Sequence, residues 1–398
     1  MSILENVFQR IEGCRDEIIQ FQAELTSRAA LGPENGGTGE HDKAEYLMEK
    51  LKALNPDFLE EIRAPDERAT DGYRPNLVAK WHGEETGPTI WALSHMDIVP
   101  PGDLTLWEGD PYKIKVEEDR ITGRGVLDDQ AGIVSSYIAF EAVQALGLKS
   151  KRSVGLVFVA DEETGSKFGL DYILEKRGRL FDPKDLIYVP DAGNAEGTMI
   201  EVTEKSMLWL KFTVTGKQCH GSTPGKGRNS LYGAARLILA LEKLKEEFGL
   251  VDMLFSPPMS TFEPTKMEAN VPNINTIPGR DVFYFDCRIL PQYKVDDILQ
   301  DAKSRAGEVA GELGLSVLVE PVYRQDAINP TAADAPVVRA LSGAIKCVKG
   351  VEATPMGIGG GTVAAFFRKA GLPAAVWMTM PDTAHQPNEY CLISNIIE

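Results

Sequence analysis

The residues of this chain that could do chemistry are imidazoles and carboxylates released at the ends of apolar runs. The run Thr89–Pro100, TIWALSHMDIVP, ends in His95, Met96 and Asp97. In an extended segment residues two apart share a face, so His95 and Asp97 point the same way and Met96 points away. A histidine that gives one ring nitrogen to a metal commonly gives its other N–H to a carboxylate, and Asp97 stands where that partner is needed. The pair alone also reads as a strand-end histidine satisfied by its neighbour. Four more candidates follow strand-like runs: Asp128 in GRGVLDD, Glu163 in DEETG, Asp191 in VPDAG and His385 in TAHQPNE. Two imidazoles and three carboxylates suit zinc, cobalt or manganese, and are too many donors for one four-coordinate ion. If one carboxylate bridges, the set fits two ions ~3.5 to 4 Å apart. With Glu162 added, four negative charges would face the four positive charges of two divalent ions; without metal they form a costly cluster of like charges.

Plainer roles exist for several of these residues. Asp129, just before a helix, reads as an N-cap and stays outside the ligand set, and Asp128 alone could share that role. Glu162 and Glu163 could form a solvated turn. As neighbours in sequence they are poorly placed to flank a sugar at ~5 Å or more, as glycoside hydrolysis requires. Cys219 and His220 on a strand would face opposite ways, which argues against a nucleophile and base pair. His41 and His82 read as surface residues, and the glycines around Gly357 fit neither GxGxxG nor a P-loop.

The elements that must carry these residues form two textures. Strand-like runs at 76–81, 89–100, 153–160 and 186–189, the second carrying His95 and Asp97 and the last two ending in candidate ligands, alternate with helical stretches at 41–54 and 131–146. That is the pattern of a parallel sheet with its polar ends on one edge. The run SVGLVFVA (153–160) is continuously apolar, as in a strand covered on both faces. From about residue 205 the runs SMLWLKFTVT and DVFYFDCRI alternate instead, with helices expected at 230–248 and 295–313 and a strand at 316–322. This is an open-faced antiparallel sheet with helices on one side. The expected fold is therefore α/β, a mostly parallel sheet with helices on both faces. A metal-binding catalytic domain formed by residues 1–204 and 321–398 receives an inserted α+β domain, 205–320, as a lid and dimerisation surface. A last strand, 374–380, leads to His385.

Composition excludes several classes. The net charge of −17 and the absence of a basic stripe argue against nucleic-acid binding. The apolar runs are strand-sized, so no membrane span is expected, and the first twenty residues read as one amphipathic surface helix rather than a signal peptide. Five scattered cysteines without a CxxC fit free thiols in a cytoplasmic protein.

The motifs HMDIVP, GRGVLDD, DEETGS, PDAG, CHGSTP, NTIPG, GGGT and TAHQPNE occur in this order along nearly the whole chain. Together they resemble the dinuclear zinc peptidase and deacylase family, which includes succinyl-diaminopimelate desuccinylase, acetylornithine deacetylase, aminoacylase and bacterial glutamate carboxypeptidase. The resemblance implies that His95 and Asp191 hold one metal, Glu163 and His385 the other, and Asp128 bridges them. It implies Glu162 as general base, Asp97 as the acid that orients His95, and a cis peptide bond between Asp128 and Asp129. In the inserted domain it implies that His220 donates to the carbonyl oxygen under attack. Asn275 and Arg288 would hold a substrate carboxylate together with the backbone around Gly361 and Thr362.

The activity so implied is hydrolysis of the amide of an N-acyl amino acid by a water activated between two ions, most simply zinc, with cobalt or manganese as alternatives. The partner is a small N-acyl amino acid or short peptide with a free carboxylate, and the expected assembly is a homodimer through the lid. A dipeptidase or carboxypeptidase with the same metals remains open, as does a non-catalytic relative that binds metal or amino acids. Two positions depart from many relatives: Gln130 where lysine is common, and Val363 where aspartate is common, which bears on acyl or side-chain preference. The chain ends at Glu398 soon after this last motif, so the closing helix of relatives is expected to be short or absent.

Overall fold

The computed structural model describes residues 2–398. The chain divides into two compact units, one built from residues up to Val202 with Pro330–Pro355 and Thr362–Glu398, the other from Thr203–Asn329 with Met356–Gly361.

The first unit is organised by a mixed sheet that runs Phe58–Pro65, Tyr73–Trp81, Val154–Val159, Ile90–His95, Leu186–Val189, Ala374–Val376 and then Met199–Glu204 and Thr354–Ile358. Its centre is parallel: Ile90–His95 pairs with Val154–Val159 on one side and with Leu186–Val189 on the other, which in turn pairs with Ala374–Val376. Helices cover both faces, so Val157, Val159, Leu93 and Val189 are all buried, which is why these strands are apolar without alternation. Close packing also dictates Gly155: a Cβ there would lie 2.0 Å from the Trp91 ring. Because neighbouring central strands run parallel, their carboxyl ends leave the sheet together. His95 ends its strand, and Asp161 and Pro190 come just after the ends of the strands on either side of it.

The second unit is a four-stranded antiparallel sheet ordered Thr261–Met267, Arg280–Ile289, Ser206–Thr215, Ser316–Gln325. Leu208, Leu210, Phe212 and Val214 alternate inward and form a core with the helices Ser230–Leu241 and Val295–Leu313. Phe212 and Phe283 stack at 4.8 Å within it, the kind of pair that adds ~0.5–1.5 kcal/mol beyond its buried area. On the other face Trp209 is 41% exposed and packs on Tyr323.

Several local expectations change. The amino terminus is two helices, Ile3–Glu12 and Arg15–Ser27, because the chain turns at Gly13 and Cys14. The helix expected to run to 248 stops at Leu241, with only the turn Leu244–Glu247 beyond it. The last sheet strand is shorter than its apolar run, Ala374–Val376. The strand Phe58–Pro65 was hidden by its charges: it lies at the sheet edge and pairs only with Tyr73–Trp81, where glutamate and arginine are tolerated.

Candidate active site

Five segments of the first unit converge at the carboxyl edge of its sheet. His95 ends its strand, is 1% exposed, and places Nδ1 3.0 Å from the carbonyl oxygen of Asp97. A carbonyl can only accept, so this contact puts the proton on Nδ1 in the neutral ring and leaves the Nε2 lone pair for a ligand. The Asp97 carboxylate stands farther off, 3.5 Å from Nδ1. The two Asp97 oxygens instead accept the backbone N–H groups of Glu162 and Glu163, each at 3.0 Å. Asp97 thereby joins the histidine loop to the DEETG turn.

Asp128 lies between the two histidines. One of its oxygens is 2.9 Å from His95 Nε2 and the other 3.0 Å from His385 Nε2. His385 Nε2 is also 3.1 Å from Glu163, and Asp191 is 3.7 Å from His95 Nε2. The five sequence-predicted residues thus fall into His95 with Asp191 and His385 with Glu163, with Asp128 in the middle. Ligand atoms of His95, Asp128 and Glu163 lie within 4.8 Å of one another, as do those of His95, Asp129 and Asp191. The peptide bond between Asp128 and Asp129 is cis.

Asp129 needs a correction. Its side chain makes no capping hydrogen bond to the helix Gln130–Ala145. It is 1% exposed, accepts the His95 backbone N–H at 3.1 Å through one oxygen, and leaves the other without a partner. The helix start comes so close that a Cβ on Gly132 would sit 2.2 Å from that orphaned oxygen. Gln130, one of the two departures, is buried and accepts from Thr26 at 2.8 Å, and Val363 is 1% exposed.

The electrostatics are those of a site short of positive charge. Burial raises Glu162 well above the usual carboxylate range, with Asp191, Glu163 and Asp97 adding to it. Burial and the neighbouring Asp128 push Glu163 up to about 7. Asp129 is raised well above its ordinary value by burial and by Asp191. His385 is raised to about 10 by its hydrogen bonds to Asp128 and Glu163. Burial disfavours the charged form of His95, yet Asp128, Asp191 and Asp97 together hold its pKa well up. A buried Glu163 oxygen also has no partner. Divalent cations fit this donor set, since they would supply both the missing charge and the missing partner.

Behind the site lies a layer of charges that the sequence motifs did not single out. Lys43, 1% exposed, donates to the Met96 carbonyl at 2.8 Å and is lowered to about 8 by burial. Arg74 pairs with Glu40, whose carboxylate also accepts the Asp161 N–H at 3.3 Å. Arg124 and Glu389 form a second buried pair. These five are charged residues on or between apolar elements, and only Arg124 and Glu389 lay inside runs that had drawn attention.

The remaining predicted residues belong to the other unit, apart from Thr362. His220 pairs with Thr276 across the short ladder Cys219–His220 to Thr276–Ile277 and is exposed. The Ser222 N–H donates to its Nδ1 at 3.1 Å, which leaves Nε2 as the protonated nitrogen of the neutral ring. The Asn275 side chain accepts from Asn273, and its carbonyl accepts the Gly221 N–H at 2.7 Å. Arg288 is gripped by Asp286, Nε to Oδ1 at 2.7 Å and Nη2 to Oδ2 at 2.9 Å, while Nη1 reaches Gly359 O at 2.9 Å. Gly361 ends that unit; Thr362 is buried in the first, its hydroxyl accepting from the Ala364 N–H at 3.2 Å.

Residues 92–398 match the profile of peptidase family M20/M25/M40. The chain belongs to this family. An uncharacterised metallohydrolase of Methanococcus maripaludis is 40% identical, covering 96% of both chains. A succinyl-diaminopimelate desuccinylase of Alteromonas mediterranea is 28% identical over 95% of this chain and 93% of its own. The fold is also that of human carnosine dipeptidase 1, with a TM-score of 0.79 at 17% identity over 100% of this chain and 96% of that one. This M20-family chain is a metallohydrolase of the peptidase and deacylase type, acting on amide bonds through divalent metal. Among the described residues no helix is long and apolar enough to cross a membrane.

Proposed function

We propose that the chain is a two-metal deacylase that removes the acyl group from an N-acyl amino acid. The observation that carries this reading is Asp128, with one oxygen toward His95 and the other toward His385. In it, His95 with Asp191 and His385 with Glu163 would hold two divalent ions, zinc first and cobalt or manganese as substitutes, with Asp128 as the ligand that would be shared. Ions so held would polarise the amide carbonyl and make a water acidic at neutral pH.

The protein's own groups do the rest. Glu162 stands next to Glu163 in the same turn, and burial raises its carboxylate well above the usual range. It takes the proton of the attacking water and delivers it to the departing amine. Asp97 fixes that turn through both backbone N–H groups and steadies the His95 loop. His220, with Nε2–H available, donates to the oxygen on which charge develops. Arg288 and Asn275, with the backbone at Gly361 and Thr362, take the substrate carboxylate. Arg288 is pre-aligned for this by Asp286, and the exchange of Asp286 for substrate is part of the reading.

An amino-acid substrate is supported by the desuccinylase relative. A homodimer through the inserted unit belongs to the same reading, and Leu231, Tyr232 and Leu239 on one of its helices, 41%, 57% and 67% exposed, offer it an apolar surface. So does a cytoplasmic location, which would keep the five thiols free.

The test is amine release from N-succinyl, N-acetyl and longer N-acyl amino acids and unblocked dipeptides, with zinc or cobalt added, before and after chelation. Chelator-sensitive release from one acyl class supports the deacylase. Preference for dipeptides would replace it with a peptidase, and no release from protein holding two metals would replace it with a binding role.

A further inference from the structure

The His385 ring is 54% exposed, sits on a loop, and among the described residues has its ion-pair contacts with other candidate ligands, Asp128 and Glu163. Its backbone is in the left-handed region, φ 64°, as is that of Asn388, φ 56°. Non-glycine residues hold that conformation when surrounding contacts impose it. What aims this imidazole must therefore act through the backbone.

A buried ion pair is in position to do so. Glu389 is 0% and Arg124 1% exposed. One Glu389 oxygen accepts the N–H groups of Leu127 and Asp128, at 3.0 and 3.2 Å, and the other accepts from Arg124 Nη1. Arg124 Nη2 in turn reaches the carbonyl oxygens of His385 and Gln386, each at 3.3 Å. The backbone of the central carboxylate and that of the exposed histidine are thus joined through two side chains. The surroundings are braced as well. The Gly123 N–H donates to the Glu389 carbonyl at 3.0 Å, and the Trp107 ring lies 5.2 Å from the Arg124 guanidinium carbon. Asn388 accepts the Glu108 N–H at 2.8 Å and donates to Leu106 O at 3.0 Å.

We infer that Glu389 and Arg124 are positioning residues that set the spacing between Asp128 and His385, and with it the affinity for the ion on the His385 side. The inference rests on the reading of Asp128 and His385 as metal ligands. Neither residue touches an ion. Outer groups that orient ligands typically carry ~10–100-fold in metal affinity.

In Glu389→Gln the amide can still accept from the Leu127 and Asp128 N–H groups, but its NH2 would face the Arg124 guanidinium, donor against donor. Zinc binding is titrated against a chromophoric chelator, and the visible spectrum of the cobalt form is recorded beside it. Wild type should bind two zinc ions. Glu389→Gln should keep one of them near wild-type affinity, lose ~10–100-fold on the other, and change the spectrum of the second cobalt added. Arg124→Lys, which keeps the charge but cannot span both carbonyls, should do the same; it stands in if Glu389→Gln does not fold. Two ions bound with wild-type affinity by a folded variant would overturn the inference. So would equal weakening of both ions alongside a lower melting temperature, the mark of a purely structural pair. Wild type binding fewer than two ions would overturn the metal reading itself, and the inference with it.

Discussion

Asp286 holds Arg288 from two positions earlier on the same strand face, with Nε–Oδ1 at 2.7 Å and Nη2–Oδ2 at 2.9 Å. The arginine that the substrate carboxylate is proposed to meet is therefore aligned and already partnered. A substrate would trade one carboxylate for another, so discrimination should lie in the charge itself. Arg288→Ala is expected to cost ~10- to 100-fold in kcat/KM on substrates with a free carboxylate and little on their methyl esters. Equal losses on acid and ester would give the pair a structural role instead.

Glu162 shares its turn with Glu163, and both backbone N–H groups rest on Asp97. Glu162→Gln leaves these contacts alone. It should retain both metals, measured by elemental analysis, while turnover falls at least ~100-fold, the scale of a general base. Near-normal turnover would remove Glu162 from that role.

Chelation should lower the melting temperature as well as abolish activity, because the ions neutralise carboxylates that otherwise repel. An ion present at 100 times its dissociation constant contributes ~2.7 kcal/mol. Calorimetry with and without chelator reads this directly; a melting temperature that rises or stays fixed on chelation would contradict it.

Glu201 and Arg368, 0% and 2% exposed, form a two-bond pair in the first unit with both contacts at 2.8 Å. Removing one partner takes away the buried counter-charge of the other. Glu201→Leu should therefore lose ~3–5 kcal/mol in urea unfolding, and the double change with Arg368→Leu should recover part of it.

Thiol reactivity should follow burial. Cys347 is exposed, Cys219 half-buried, and Cys14, Cys287 and Cys391 buried. Burial also pushes Cys287 up to about 12, so at pH 8 it is almost wholly protonated. A disulfide reagent should modify Cys347 quickly and Cys219 more slowly, and reach the other three only after denaturation. Fast modification of a third thiol in native protein would show that a buried cysteine is accessible.

His95, Glu163 and Asp191 were legible in the sequence because parallel strands deliver their last residues to one edge. An imidazole or carboxylate after each apolar run was enough to nominate His95, Asp128, Glu163, Asp191 and His385, and the order of the motifs pointed to the family. Alternation against continuous apolarity likewise separated the antiparallel insert from the covered sheet. Tertiary structure alone decided how those residues are held. Asp97 grips the Glu162 turn through two backbone N–H groups 65 and 66 positions further along the chain. Asp129 faces His95 rather than the helix it precedes. Glu389 meets Arg124 across 265 positions. Local pattern reports which face a residue takes, whereas a buried charge is explained only by the partner that the fold brings to it from elsewhere in the chain.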